Sequence, residues 1–186
     1  MYFETQVFEG INALQRGEYE RCSFLGCDLS ESNLSGMKFI DCTFERCNLS
    51  MAKLDGATFQ DVVFKDSKML GLRFDTINPF GLAVQFEACQ LNHSSFFRLK
   101  LRKTKFKNCQ MEGVDFGESD LTDAVFDNSN LLQAIFDATI LEKADFRTAL
   151  NISLDPERNK LKKARFAQSN IAGLLDKYQI QVDRSL

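Results

Sequence analysis

The chain places a large apolar residue at every fifth position. Phe, Leu, Met or Ile fills each such position over residues 24–74, 86–146 and 161–171. Of the 18 Phe residues, 14 lie on this five-residue grid, and a small Cys, Ser or Ala stands two positions before most grid residues. The positions between them are mostly polar or Gly. This regularity indicates an internal repeat with a unit of five residues.

Neither regular secondary structure has a period of five. On an α-helix this spacing would move successive rings around the axis, and on an unbroken strand it would alternate their faces. The chain must therefore turn a corner in every unit, with the grid residue and the small residue two before it both pointing inward. One Phe series, from Phe24 to Phe166, recurs at every fourth unit with a single longer step, so four units make one square coil. The sequence predicts an all-β, right-handed quadrilateral parallel β-helix of about eight coils.

The pattern is interrupted at two places and ends before a C-terminal segment. Two extra residues fall near Ile77–Gly81, which predicts a bulge over residues 77–85 with the off-grid residue Phe80 exposed. Asn151 and Pro156 occupy two grid positions, which predicts one irregular coil. After the repeat, apolar spacing predicts a short C-terminal capping helix, started by Ser169 or Asn170 and followed by a tail that includes Val182. We divide the single domain into an N-terminal cap (1–16), the β-helix (17–168) and the C-terminal helix and tail (169–186).

The composition bears on whether the protein is a membrane, secreted or nucleic-acid-binding protein. The chain has 186 residues, a formal net charge of −3 and 44% hydrophobic residues, which is typical of a globular domain. Its apolar runs are too short for a membrane span, and its first residues lack the pattern of a signal peptide. The small net charge gives no support for nucleic-acid binding and is also too small for a polyanion. We therefore expect a cytoplasmic protein with no membrane and no direct nucleic-acid contact.

Cys and His often serve as catalytic or metal-binding residues, but in this sequence their positions in the repeat account for them. All 6 Cys fall on the small inward position, at spacings unlike those of zinc sites, and are expected to be small buried thiols in a reducing compartment. The single His, His93, is expected at a corner. No phosphate loop, paired-carboxylate motif or nucleophile motif is present in the sequence. We expect no catalytic residue, no metal site, no cofactor and no enzyme activity.

Charge changes sign along the repeat. Residues 98–107 carry six basic side chains and no acid, residues 109–146 carry nine acids against one base, and a second basic group follows at residues 158–165. Because coils stack, these segments become bands around the rod. One interpretation is alternating solvated bands, and the other is an acidic band that steers the rod to a basic, DNA-binding partner surface.

The five-residue unit resembles the motif of the pentapeptide-repeat family, roughly Ala-Asp/Asn-Leu/Phe-x-x. Units such as Ser32–Gly36 and Ala144–Thr148 fit it well, and the match extends over about residues 17–173. The segments Lys68–Gly71, Asp155–Pro156 and Leu174–Leu175 are similar to the Qnr and albicidin-immunity group of that family. The resemblance implies a right-handed quadrilateral β-helix.

The same resemblance implies a function. Members of that group bind DNA gyrase or topoisomerase IV and protect it from quinolones or other poisons, partly by resembling duplex DNA, and form homodimers through their C-terminal ends. The alternative is a general protein-interaction scaffold with an unrelated partner. The candidate dimer residues are Leu174, Leu175 and Tyr178. The candidate partner-binding residues are Asn78, Phe80, Glu112, Asp115, Glu118, Asp120, Asp123 and Asp127.

Overall fold

The computed structural model describes residues 1–181. Its regular elements are short, since most strands have only three residues. The strands are β1 (Tyr2–Glu4), β2 (Val7–Glu9), β3 (Glu18–Glu20), β4 (Ser23–Leu25), β5 (Lys38–Ile40), β6 (Thr43–Glu45), β7 (Thr58–Gln60), β8 (Val62–Lys65), β9 (Val84–Glu87), β10 (Lys105–Lys107) and β11 (Val125–Asp127). In the same part of the chain, 3₁₀ helices cover Phe74–Thr76, Ile171–Leu174 and Asp176–Tyr178.

All strand pairs are parallel and join successive coils. One sheet has the order β1-β3-β5-β7 and the other β11-β10-β9-β8-β6-β4-β2. On the remaining sides single parallel bridges connect equivalent positions of successive coils, such as Gln90 with Gln110 and Ser95 with Asp115. The predicted class, a four-sided parallel β-helix, is confirmed. We name the faces by the buried residues of one coil: Phe106 on the first face, Met111 on the second, Phe116 on the third and Leu121 on the fourth.

The corners rest on residues with positive φ. The residue two positions after a buried centre takes this conformation in most units, as at His93 (φ 60°), Lys103 (φ 60°) and Asn108 (φ 55°). In many units a β-turn bond closes the corner, for example from the Ser94 N–H to the Leu91 carbonyl at 3.0 Å. The predicted corner position of His93 is therefore observed.

Phenyl rings form a continuous column behind the first face. It runs from Phe8 through Phe24, Phe44, Phe64, Phe86, Phe106, Phe126 and Phe146 to Phe166, and each step is a stacked pair. Centroids of successive rings lie 4.4–5.4 Å apart, with planes inclined by 3–18°. This is the offset stacking that aromatic rings favour, so the predicted vertical packing of Phe is confirmed.

A second aromatic column changes face part-way along the rod. In the N-terminal half it lies behind the fourth face (Phe3, Tyr19, Phe39, Phe59), and in the C-terminal half behind the third (Phe74, Phe96, Phe116, Phe136). Phe59 and Phe74 meet edge to face at 6.2 Å, which connects the two halves. Leu fills the positions that this column leaves, as at Leu54 and Leu121. The interior thus contains two aromatic columns along most of the rod.

The column changes face where the two extra residues enter. Strand β8 pairs with β9 so that Phe64 lies opposite Phe86, two positions beyond the partner that a regular coil would supply. The extra residues leave the wall as a turn in which the Leu82 N–H donates to the Pro79 carbonyl at 3.4 Å and Gly81 has φ 70°. The remaining coils keep their register, because the insertion is confined to one corner.

The first coil differs from the expected N-terminal cap. Phe3 and Phe8 lie off the five-residue grid, yet they stack on Tyr19 and Phe24 as the first members of the two columns. Phe8 pairs with Phe24, whereas Phe24 pairs with Phe44, so the first coil is shorter than the next one. Strands β1 and β2 therefore continue the β-helix, and their outer edges form its N-terminal end.

The C-terminal end is closed by side chains and two short 3₁₀ helices, not by one regular helix. Asn170 stands at the start of the first of them but does not cap it. Its amide instead donates to the carbonyls of Phe146 and Ala149, at 2.7 and 3.1 Å, and Ser169 is exposed. Gly173 packs directly against the Ile152 carbonyl, which leaves no room for a Cβ. The predicted tail residue Val182 lies outside the described residues.

In the irregular coil, two grid positions lack an apolar residue, and apolar residues close to them in sequence fill the interior. Asn151 is exposed at a corner with φ 54°, and Pro156 is half-buried. Ile152 and Leu154 are buried in their place. The coil keeps its height because the Asn159 side chain bonds to the Phe136 carbonyl of the coil below.

Candidate partner-binding surface

The interior contains six buried thiols. All six Cys are buried and free, and each donates from Sγ toward backbone carbonyls, as Cys42 does toward Tyr19 at 3.3 Å. Burial raises the pKa of Cys42 and of Cys47 to about 11, so both stay protonated at neutral pH. Within residues 1–181 no group of three or more His, Cys, Asp or Glu could hold a metal ion. Over the same residues no helix has the length and apolar character to cross a bilayer.

The predicted acidic residues form a belt around the rod and do not share one face. Glu112 lies on the second face, Asp115 on the third, and Asp127 on the first. Asp120 is on the fourth face and Asp123 at its corner with the first. The structure therefore brings these residues to one level of the rod, but it does not align them in an axial stripe.

Two members of the belt are neutralised by bases from the preceding coil. Arg98 donates to Glu118 at 2.8 and 3.2 Å, and Arg102 donates to Asp120 at 2.6 Å. The bond from Arg98 lowers the pKa of Glu118. Burial works to raise the pKa of Asp120, but the hydrogen bonds from Thr122 and Arg102 outweigh it and the pKa lies below its usual value. The belt therefore presents less negative charge than its composition suggests.

Charges along the first face alternate from coil to coil. From Phe44 to Phe146 on this face, the residues that follow the buried Phe are Glu45, Lys65, Glu87, Lys107, Asp127 and Arg147, in order along the axis. Lys107 and Glu87 form an ion pair at 2.7 Å. An alternating column cancels its own long-range field, so this face offers local contacts and not a uniform potential.

The turn at the insertion presents the most exposed large apolar residue of residues 1–181. Phe80 is 78% exposed. Its N–H donates to the Asn78 Oδ1 at 3.1 Å, and the Gln60 amide donates to its carbonyl at 3.4 Å. Asn78 is in turn bonded to Thr58 at 3.3 Å. The aromatic ring is therefore held outward on a turn that is fastened to the coil below.

The repeat is matched by two family models. A model described as pentapeptide repeat region matches residues 18–96 and 37–116, and one described as pentapeptide repeats (8 copies) matches residues 115–150. The first model alone spans more than half of the chain. The chain belongs to the pentapeptide-repeat family.

Solved structures share the fold of this pentapeptide-repeat protein at low sequence identity. A trypsin-treated variant of QnrB1, a plasmid-mediated fluoroquinolone resistance protein, has a TM-score of 0.63 and 16% identity, covering 99% of both chains. A second trypsin-treated QnrB1 variant has a TM-score of 0.50 and 17% identity, covering 98% of both chains. No curated protein matches the sequence. At such identities the likeness shows a common fold.

The candidate dimer residues of the pentapeptide-repeat protein lie on its C-terminal end. Leu174 packs against the core, whereas Leu175 and Tyr178 are 36% and 52% exposed. The segment is fastened to the last coil, because Lys177 forms ion pairs with Asp155 at 2.7 Å and Glu157 at 2.6 Å. The end therefore presents apolar side chains on a fixed support.

A cluster that sequence reasoning missed lies on the second and third faces. Leu132, Ile135 and Leu150 occupy outward positions where most other coils of the pentapeptide-repeat protein have polar residues, and all three are exposed. The signal was present in the sequence as apolar residues beside the grid positions, but it was hidden among the many apolar residues of the core.

Proposed function

We propose that this pentapeptide-repeat protein is a non-enzymatic binding rod of the cytoplasm. Its partner is a type II topoisomerase, DNA gyrase or topoisomerase IV, which it protects from quinolone-type poisons. The proposal is supported by the family membership, by the similarity of its motifs to the Qnr group, and by a fold shared with a fluoroquinolone resistance protein. The observation that carries it is the outward, fastened Phe80 on an otherwise mostly polar wall.

The Phe80 turn is suited to anchor the rod on a partner. An exposed aromatic side chain that enters an apolar pocket typically supplies a large share of binding energy. The bonds from Asn78 and Gln60 order the turn before binding, which reduces the entropy that association must overcome. Asp61, which follows Gln60 at the corner of the coil below, is exposed and carries a negative charge.

The acidic belt contributes steering in this proposal. Asp123 and Asp127 form no ion pair within residues 1–181, so they can attract a basic surface. The belt encircles the rod at one level and alternates with basic coils, so it does not reproduce the continuous phosphate lines of a duplex. We therefore assign recognition to the aromatic turn, with the belt raising the rate of encounter.

The test is a gyrase supercoiling assay in the presence of a quinolone. The wild-type protein is expected to preserve supercoiling, and Phe80→Ala to require at least about tenfold more protein for equal protection, because the anchor is lost. Met51→Ala is the matched control, since Met51 is also an exposed apolar side chain but lies at another corner. It is expected to protect like the wild type.

The possible results distinguish an error in the proposed partner from an error in the proposed contact residue. No protection and no binding of gyrase or topoisomerase IV at micromolar protein would refute the proposed partner. A pull-down that recovers a different protein and no topoisomerase subunit would favour a general interaction scaffold. Protection by Phe80→Ala equal to the wild type would remove the turn from the interface.

We also propose that the protein forms a homodimer through its C-terminal ends. The exposed Leu175 and Tyr178 are apolar groups on a fixed support, and their burial in a second copy would be favourable. Sedimentation is expected to show a dimer, and Leu175→Glu to weaken it at least about tenfold, because a charge would be buried. Ile135→Glu is the control, since it alters an exposed apolar residue away from the end. A wild-type monomer at micromolar concentration would refute the dimer.

A further inference from the structure

Two rows of basic residues occupy identical positions in two different coils. The second row has the same pattern as the first row and lies three coils further along the rod. Each row crosses the fourth face with its two corners and ends at the edge of the first face. The lower row is Arg98, Lys100, Arg102, Lys103 and Lys105, and the upper row is Arg158, Lys160, Lys162, Lys163 and Arg165.

The two rows lie directly one above the other. Bridges connect Lys100 with Asp120, Asp120 with Ile140, and Ile140 with Lys160, which traces the same position through three steps. With coils about 4.8 Å apart, the rows are separated by about 14 Å along the rod. The fourth face thus carries two positive lines across its width, at a fixed distance.

The arginines and the lysines of the rows have different partners. The arginines are paired within the protein, as Arg158 is with Asp137 at 2.7 Å and Arg102 with Asp120 at 2.6 Å. The lysines of the rows are exposed and form no ion pair within residues 1–181: Lys100, Lys103, Lys105, Lys160, Lys162 and Lys163. Each row therefore offers three lysine ammonium groups to an external anion.

We propose that the fourth face binds duplex DNA, with one row on each of the two phosphate strands that border a groove. The major groove of B-DNA is about 12 Å wide, close to the distance between the rows. Asp123 and Glu142 lie between the rows and would face the groove, where cytosine and adenine offer amino donors.

A single acidic protein surface would not require two rows at a fixed separation, so the spacing favours a duplex. The net charge of −3 gave no support for nucleic-acid binding, and we expected no direct nucleic-acid contact from the sequence. The positions of the charged side chains on the rod change that expectation, because most negative charges lie on other coils and faces or are paired with arginine. The Phe80 turn lies on the same face, one coil below the lower row, but the inference rests on the lysine rows and does not depend on the proposed topoisomerase partner.

The test is fluorescence anisotropy with a labelled duplex of about 20 base pairs, roughly two helical turns. Six phosphate contacts predict that the logarithm of the affinity falls with the logarithm of salt concentration with a slope of about −5. Replacing the upper lysines (Lys160→Gln, Lys162→Gln, Lys163→Gln) is expected to reduce that slope by about 3 and the affinity at least about tenfold.

A matched control removes the same charge elsewhere. The triple variant Lys53→Gln, Lys65→Gln, Lys68→Gln alters three lysines N-terminal to both rows and away from the fourth face, and is expected to change affinity less than about twofold. An equal loss in both triple variants, or no saturable binding by the wild type, would overturn the proposal. Equal affinity for a single strand would exclude the groove-spanning geometry. Binding to polyglutamate but not to the duplex would assign the rows to an acidic protein and refute the DNA site.

Discussion

Phe106→Ala is expected to lower the free energy of unfolding by about 3–5 kcal/mol. Phe106 is fully buried in the first column, and its ring stacks on Phe86 at 5.2 Å and on Phe126 at 5.1 Å. Removal of the ring leaves a cavity that the neighbouring coils cannot close, because hydrogen bonds to both sides fix their spacing. A loss in the middle of a solenoid also weakens its contacts with both adjacent coils.

Thermal unfolding followed by circular dichroism measures this effect, with Phe97→Ala as the control. Phe97 points outward but is half-buried, because its ring lies over Gly117 and is approached by Arg98 at 4.7 Å. Its removal is therefore expected to cost about 1 kcal/mol, not the nearly zero value that an outward position suggests. Equal shifts in the two variants would contradict the column as the main source of stability.

Asn159→Leu is expected to destabilise the C-terminal end by about 3 kcal/mol, although it places an apolar residue at a buried position. Asn159 accepts a bond from the Thr139 N–H at 3.0 Å and donates to the carbonyls of Phe136 and Asp155, both at 2.9 Å. Leucine would leave these buried backbone groups without partners, and each such group costs about 1–3 kcal/mol.

Asn159→Thr is the matched control for this prediction. Thr139 occupies the same position one coil below, where its hydroxyl donates to the Phe116 carbonyl at 2.9 Å. Threonine at 159 can repeat that bond, so we expect it to recover part of the loss. Hydrogen exchange should localise the effect of Asn159→Leu to the last two coils. A leucine variant as stable as the wild type would show that the amide does not stabilise the end.

The sequence predicts the coil because its period is incompatible with a helix or a flat strand. Residues at the same position of successive coils are neighbours in space, so some surface ion pairs can also be predicted, as for Arg98 with Glu118 and Lys107 with Glu87. The first coil could not be predicted, because its shortening between Phe8 and Phe24 removes both Phe3 and Phe8 from the grid.

The candidate partner-binding surface could be predicted less completely than the core. Exposure of Phe80 follows from its place in the insertion, but the bonds of its turn to Gln60 and Asn78 depend on side-chain geometry that has no periodic signal. Asp120 pairs with Arg102, although the register of the coils places Lys100 below it, so this pair is set by side-chain reach. Charge counts along the chain therefore overestimated the acidity of the belt.

The two-residue insertion also has a consequence for how such a protein can diversify. Because the turn from Pro79 to Leu82 leaves the wall and returns to it in register, its length does not affect the pairing of the coils on either side. A longer or differently composed turn at this corner would alter the exposed surface of the rod while every other coil kept its register. The sequence can therefore vary at this corner without a change in the rest of the β-helix.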